Sequence, residues 1–562
     1  MGKVTELQQY LQTRGFGVRE EQERLYAYLI GADASGVIAQ AGTGVGKSAA
    51  IIAAAAHMAR KTRTQSVIVT PTNMLASQYR DGEIPHARIA FPDLAFAEVR
   101  GKSHYYCEMT EKAMKLVGAT YTGGCDGHDS GCTRREWGGH DAACFPQCDV
   151  DHDPEWECGY RMAIREASNA DVVVTNADML IVNDTILSNF NASFISMDGS
   201  LFVDEAHTLE GKLRDYASRS LNWKNVKAFQ FADPSITGAV SKWLRTQEDS
   251  AEWEAVESSA PVWALSQLAE ASIPDETTDG KGTEKAQQLV ESAQRILKFI
   301  DHPSDNAVLH VGDGSLKLDW VNVAASANKL LTARRFGLVS ATIHRSMAET
   351  LGIDDAKFID VGHPFDYRHQ AWLGFSSYNG SYQAAQSDEN FEVRLDEVKS
   401  LLKRSKGGAL LLFSAFDDLS RCVDALEPWV REELGVKFLY QSRETSPEER
   451  EELAKEFKAD GDAILLGSSS FATGFDAPGN ALRLGVLWKL PYPGQDPVTK
   501  RIQKISRRRY DDIMRVTAVQ SIGRLIRTVD DKGIFWVADS RGRALVDTTD
   551  PMTRHLAQWN RM

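Results

Sequence analysis

Short apolar runs that end on polar residues recur along the chain, and each is followed by a stretch of helical character. Gly36-Val37-Ile38-Ala39 leads through a glycine-rich loop into an alanine- and isoleucine-rich segment, residues 48–60. Gln65-Ser66-Val67-Ile68-Val69-Thr70 leads through Pro71-Thr72-Asn73 into the helical Met74 to Tyr79. The form returns at 170–176, at 201–207 and at 336–342. Alternation of this kind implies a parallel sheet that holds its ligands at the carboxyl ends of the strands. A second α/β unit starts near residue 346. It has strands at 408–413 and 463–467 and a helix announced by Ser446-Pro447-Glu448-Glu449, a capping box with proline first.

Two stretches interrupt the first unit. Residues 101–160 are rich in Gly, Asp, His and Cys and lack a sustained apolar period, so they cannot pack a core unaided. Residues 209–330 read as helices carrying Trp223, Trp243, Trp253 and Trp263, broken by a polar loop at 275–282. The expected division is therefore a first α/β domain at 1–100, 161–208 and 331–345, a Cys-rich insertion at 101–160, a helical insertion at 209–330, and a second α/β domain at 346–562.

With 562 residues the chain can bury several cores. The first residues lack an apolar signal core, and no apolar run approaches the ~20 residues needed to span a bilayer; a cytoplasmic protein without a membrane partner is expected. A net charge of −14 argues against a broadly basic surface but not against a local groove for a polyanion. One basic run stands out: Lys500, Arg501, Lys504, Arg507, Arg508 and Arg509. A solvated helix face and a polyanion contact both explain it. Of seven cysteines, Cys107, Cys125, Cys132, Cys144, Cys148 and Cys158 share one window, which leaves Cys422 outside. Without a secretion signal, metal is the default reading of such a cluster.

The chemistry centres on Ala41-Gly42-Thr43-Gly44-Val45-Gly46-Lys47-Ser48. Glycines let successive backbone N–H groups turn inward around phosphate oxygens, and the following helix points its positive end at the same anion. Lys47 would reach the β- and γ-phosphates and Ser48 would hold Mg²⁺. Ala41 stands where the general pattern has glycine. Asp204-Glu205-Ala206-His207, at the end of an apolar strand, offers one carboxylate for Mg²⁺ and another to orient and deprotonate the attacking water. In Gln520-Ser521-Ile522-Gly523-Arg524-Leu525-Ile526-Arg527, two arginines three residues apart are expected on one helix face, where their forks could neutralise a transferring phosphoryl group. Because they belong to the second unit, the nucleotide would lie between the two.

The set AGTGVGKS, TPTNMLASQ, DEAH, VSATI, SSSFATGFDAPG and QSIGRLIR, in this order, resembles the superfamily 2 helicases. The two insertions on either side of DEAH resemble the XPD/DinG branch, as do GKSHYYC, CGY, HPFDYR and LPYP. The resemblance implies two RecA-like motor domains and an ATP-dependent DNA helicase that moves 5′ to 3′ on a single strand. It implies that Gln22 contacts adenine and that Gly42, Thr43, Gly44, Gly46, Lys47 and Ser48 cradle ATP and Mg²⁺. Asp204 and Glu205 would serve metal and water, and Gln520, Arg524 and Arg527 the γ-phosphate. Gly474 and Asp476 would link ATP to DNA contact, Ser340 and Thr342 would couple the lobes, and Thr72 would touch the DNA backbone. It further implies a four-iron, four-sulfur cluster held by Cys107, Cys144, Cys148 and Cys158, with Cys125 and Cys132 as alternates. Zn²⁺ stays open because His104, His128, His140 and His152 lie nearby. Ala472-Thr473-Gly474 and Ala177 depart from the branch's usual residues, which bears on DNA contact rather than on ATP.

The expected substrates are single-stranded, forked or RNA–DNA hybrid nucleic acids. A single-strand-binding protein or a CRISPR effector complex is the expected partner of a chain that acts as a monomer and fits a phage, plasmid or CRISPR-associated DinG. The alternative is a DNA-stimulated ATPase that clamps or remodels nucleic acid without strand separation, with zinc in the cysteine domain.

Overall fold

The computed structural model describes residues 4–31, 36–101, 104–105, 159–185, 193–196, 198–249, 251–273, 280–331, 335–344, 346–385, 387–468, 471 and 479–562. All six clustered cysteines, together with His128, His140, His152, Gly474 and Asp476, lie outside the described residues.

The first lobe is built on strands β1 (Gly36–Gln40), β2 (Ser66–Thr70), β3 (Phe96–Val99), β4 (Val172–Asn176) and β5 (Ser200–Asp204). Every residue of β1, β2, β4 and β5 is buried, as strands covered on both faces require. The helix Lys47–Thr62 packs its alanines and isoleucines on one face of this sheet, in a core shared with the two N-terminal helices, Glu6–Thr13 and Glu20–Ile30.

The insertion that follows is not purely helical. Its helices share one core with strands β6 (Arg219–Asn222), β7 (Ala251–Glu252), β8 (Ala307–Gly312) and β9 (Ser315–Trp320), an antiparallel sheet ordered β6-β9-β8-β7. The β8–β9 hairpin turns on Asp313-Gly314, both at positive φ (51° and 64°), the dipeptide that two-residue hairpins favour. Trp243 and Trp253 meet edge to face in this core, at 6.3 Å between ring centres.

The chain then returns to the first sheet with β10 (Arg335–Ser340) and β11 (Lys357–Asp360), which complete the all-parallel order β11-β1-β10-β5-β2-β4-β3. The change of lobe therefore falls after β11 and not at residue 346: Val37 to Gln40 pair in register with Lys357 to Asp360. The second lobe is a second all-parallel sheet of β12 (Ala371–Phe375), β13 (Ala409–Phe413), β14 (Phe438–Tyr440), β15 (Ile464–Ser468), β16 (Leu484–Leu487), β17 (Gly533–Val537) and β18 (Asn560–Arg561), ordered β14-β15-β13-β16-β17-β12-β18. The expected capping box forms: Glu449 N donates to Ser446 Oγ at 3.2 Å and Ser446 N to Glu449 Oε2 at 2.7 Å.

Candidate nucleotide site between the lobes

The phosphate loop leaves β1 at Gln40 and enters its helix at Lys47. Gly44 and Gly46 sit at φ +77° and +82°, where a side chain is strained, and they are crowded as well. A Cβ on Gly46 would come within 2.1 Å of Gln22 Nε2, one on Gly44 within 2.2 Å of the Phe365 ring, and one on Gly42 within 2.1 Å of His363 Nδ1. The loop is thus seated between the N-terminal segment and the His363-Pro364-Phe365 stretch that leads to the second lobe. Gln22 is buried, accepts from Arg19 N at 3.1 Å and donates to Gly46 O at 3.4 Å. The Arg19 guanidinium reaches Gly44 O. Burial holds the His363 imidazole down at about 4, with Arg554 and Lys47 adding to the effect, so the ring that faces the loop is neutral at physiological pH.

At the end of β5 the two acids part. Asp204 is buried and accepts from the Tyr79 hydroxyl at 3.0 Å and from Glu205 N at 2.9 Å. Burial raises its pKa to about 6, with the charge of Glu205 adding to the effect. Glu205 occupies the left-handed region at φ +47°, an outlier of the kind that concentrates at functional sites. There its carboxylate meets Lys47 Nζ at 3.1 Å. Burial works to raise the Glu205 pKa, but Lys47 first and His207 next hold it well below the ordinary carboxylate range.

A chain of hydrogen bonds runs from Glu205 into the second lobe. Ser340 Oγ donates to Glu205 Oε2 at 3.1 Å, and His207 Nδ1 lies 2.9 Å from the same hydroxyl oxygen. Because the serine spends its one proton on Glu205, its oxygen accepts from His207 Nδ1–H, which leaves Nε2 as an acceptor. Gln520 Nε2, from the second lobe, donates to that nitrogen at 2.6 Å and to Thr342 Oγ1 at 3.1 Å. The two amide protons are then fully used. Sequence reading gave His207 no role of its own; its place two residues beyond Glu205 was the available signal.

The expected helix face for the two arginines is not formed. The helix Arg507–Ile522 ends before Gly523, and Arg524 and Arg527 lie in the turn beyond it. Asp531 builds that turn: it accepts from Arg527 N and Thr528 N at 2.7 Å each and from Thr528 Oγ1 at 2.8 Å. Gln370 Nε2 secures the same turn through the carbonyls of Thr528, Val529 and Asp531. The turn still approaches the phosphate loop, for a Cβ on Gly523 would touch Thr43 Cγ2 at 3.5 Å. Elsewhere on the first lobe's carboxyl rim, Thr72 caps its helix through Leu75 N at 3.3 Å, and the adjacent Asn73 bonds Asn176 at 2.5 Å and His104 at 2.7 Å. Among the described residues no group of three or more His, Cys, Asp or Glu side chains is placed to hold a metal ion.

This geometry sets a candidate nucleotide site between two α/β lobes, and comparison with known proteins narrows the class. A DEAD/DEAH box helicase model matches residues 19–81 and a helicase C-terminal domain model matches residues 398–560. The chain is 30% identical over 207 residues to the probable ATP-dependent helicase YpvA of Bacillus subtilis, a match that covers 36% of this chain and 30% of YpvA. It is 26% identical to the ATP-dependent DNA helicase DinG of Photobacterium profundum, over 48% of this chain and 41% of the relative. These two matches span less than half the length of the relatives. The match to the ATP-dependent DNA helicase YoaA of Haemophilus influenzae is 24% identical and covers 94% of this chain and 92% of YoaA. A solved XPD helicase superposes with a TM-score of 0.62 at 18% identity, over 97% of this chain and 99% of that one, which shows a shared fold. The matching models, the relatives and the shared fold point the same way: in fold and motif order the chain is similar to XPD/DinG-like superfamily 2 helicases.

Proposed function

We propose that the chain is an ATP-dependent DNA helicase that moves 5′ to 3′ on single-stranded DNA. The observation that supports nucleotide-coupled motion is the run Lys47, Glu205, Ser340, His207, Gln520, which joins the phosphate loop to the second lobe by direct contacts; the action on DNA and its polarity rest on the resemblance in motif order. With Lys47 as a phosphate ligand, phosphate and Glu205 compete for the same ammonium, and the contacts that start at Glu205 end at Gln520. Nucleotide binding is thereby tied to how the lobes sit.

In this reading the glycines, Thr43 and Lys47 hold the phosphates, and Gln22 the base. Ser48 and Asp204 would hold Mg²⁺, which draws charge off the transferring phosphoryl group. The donor set fits the ion: both are oxygen donors, and the raised pKa of buried Asp204 is what a bound cation would relieve. Glu205, ionised and partly exposed, would orient and deprotonate the water, and Arg524 and Arg527 would meet the developing charge. Gly474 and Asp476 would pass the nucleotide state to the DNA, with Thr72 on its backbone. Cys107, Cys144, Cys148 and Cys158 would supply four thiolates to an iron–sulfur cluster, a donor set that suits iron and sulfide as well as zinc.

The test is strand separation by anaerobically purified protein on duplexes with a 5′ or a 3′ single-stranded tail. Unwinding from the 5′ tail alone, by protein that carries about four iron atoms per chain, is the expected result. Unwinding from the 3′ tail overturns the polarity, and ATP hydrolysis without unwinding from either tail favours the clamp, in which zinc would replace iron.

A further inference from the structure

The basic run ahead of the last motif divides, in the fold, into two sets. Three of its cations are spent on protein. Arg501 bonds Asp305 of the insertion at 2.9 Å, Arg507 bonds Asp511 at 3.1 Å, and buried Arg509 reaches Glu210 and Val321 O. The other three, Lys500, Lys504 and Arg508, are exposed and have no carboxylate partner among the described residues. Between them Ile505 shows 52% of its surface to solvent.

Their place in the fold is the more telling observation. The helix Pro497–Ile505 follows β16, and the helix Arg507–Ile522 runs back toward the start of β17, which lies parallel to β16. Its first turn therefore lies on the carboxyl rim of the second sheet, ~18 Å from Gln520 at its other end, at 1.5 Å per residue. That is the rim on which parallel α/β sheets hold ligands, and the rim that carries Thr72 and Asn73 in the first lobe. Ile502 and Tyr510 pack with Val308 and Val321 of the insertion, so the exposed cations stand in the corner where the insertion docks on the second lobe. Residues 496–512 hold six cations against three carboxylates, in a chain whose net charge is −14. Exposed cations without carboxylate partners, concentrated on one corner of an acidic chain, make a local positive field that attracts an anion.

We propose that Lys500, Lys504 and Arg508 form a phosphate-binding patch for single-stranded DNA at the junction of the second lobe and the insertion, with Ile505 as an apolar contact for a sugar or base. The proposal rests on the DNA-dependent reading above and adds to it a surface that lies outside all the motifs. Lysines on one helix bind phosphates as point charges without regard to sequence, as a strand in transit requires.

The test is fluorescence anisotropy with labelled oligothymidylate across a salt series, comparing the full chain with its Lys500→Ala/Lys504→Ala/Arg508→Ala variant. Each lost phosphate contact should flatten the slope of log K against log salt by about 0.7, so the variant's slope should fall by about 2, with roughly tenfold weaker binding at low salt. A Lys500→Arg/Lys504→Arg variant should keep the parent slope. An unchanged slope and affinity in the alanine variant overturns the patch while DNA binding by the parent chain stands. A parent chain that fails to bind oligothymidylate overturns the functional reading and the patch together. Weaker binding with an unchanged slope also overturns the patch, because the lost contact was then not to phosphate.

Discussion

Lys47→Ala is expected to lower kcat for ATP hydrolysis by roughly 10²–10³-fold, the loss typical of removing a charge that stabilises the transition state. The geometry adds a second cost. Lys47 is the leading influence that holds the Glu205 carboxylate ionised against burial, and its nitrogen lies 3.1 Å from that carboxylate. Without it only His207 opposes burial, so the Glu205 pKa should rise and the site should lose both a phosphate ligand and a share of its base at neutral pH. Because the base then needs deprotonation, residual activity in the variant should increase with pH more steeply than in the parent. Steady-state hydrolysis from pH 6 to 9 measures both effects. Activity within threefold of the parent would contradict the assignment.

Glu205→Gln should be as severe for a different reason. The amide keeps the size of the side chain and can still accept from Ser340, so the route to the second lobe survives in shape. It cannot take a proton, and a loss of 10²–10⁴-fold in kcat is expected for a missing general base. Nucleotide affinity should stay within a few-fold or tighten, because the ion pair that competes for Lys47 is gone. A parallel measurement of kcat and of ATP affinity separates the two variants: Lys47→Ala should lose both, and Glu205→Gln only the first. Equal losses of affinity would show that Glu205 serves binding and not chemistry.

Much of this site was readable before any coordinates. The phosphate loop, the acids at the end of β5 and the chain order of the motifs rest on local chemistry: glycines where φ is positive, carboxylates at a strand's end, a strand before and a helix after. What escaped the sequence depends on partners far along the chain. The arginine turn is one case. Helical spacing put Arg524 and Arg527 on one face, but the helix ends before Gly523, and beyond it Asp531 captures the backbone N–H groups of Arg527 and Thr528 and holds them in a turn. His207 is another, since its meaning lies in Ser340 and Gln520, which are 133 and 313 positions away. β11 was missed because Lys-Phe-Ile-Asp is four residues long and is strand only through its register with β1. The antiparallel sheet of the insertion was signalled by Asp313-Gly314 between apolar runs, a hairpin cue lost among helical neighbours.

The most direct test of the central claim, that hydrolysis is coupled to the second lobe through His207 and Gln520, is the rate of ATP hydrolysis with and without saturating single-stranded DNA, in the parent chain and in His207→Ala. At least tenfold stimulation is expected in the parent, in line with the tenfold per 1.4 kcal/mol that a few hydrogen bonds can couple, and a stimulation ratio near one in the variant. Equal stimulation in both would contradict the claim, because the lobes would then communicate by some other route.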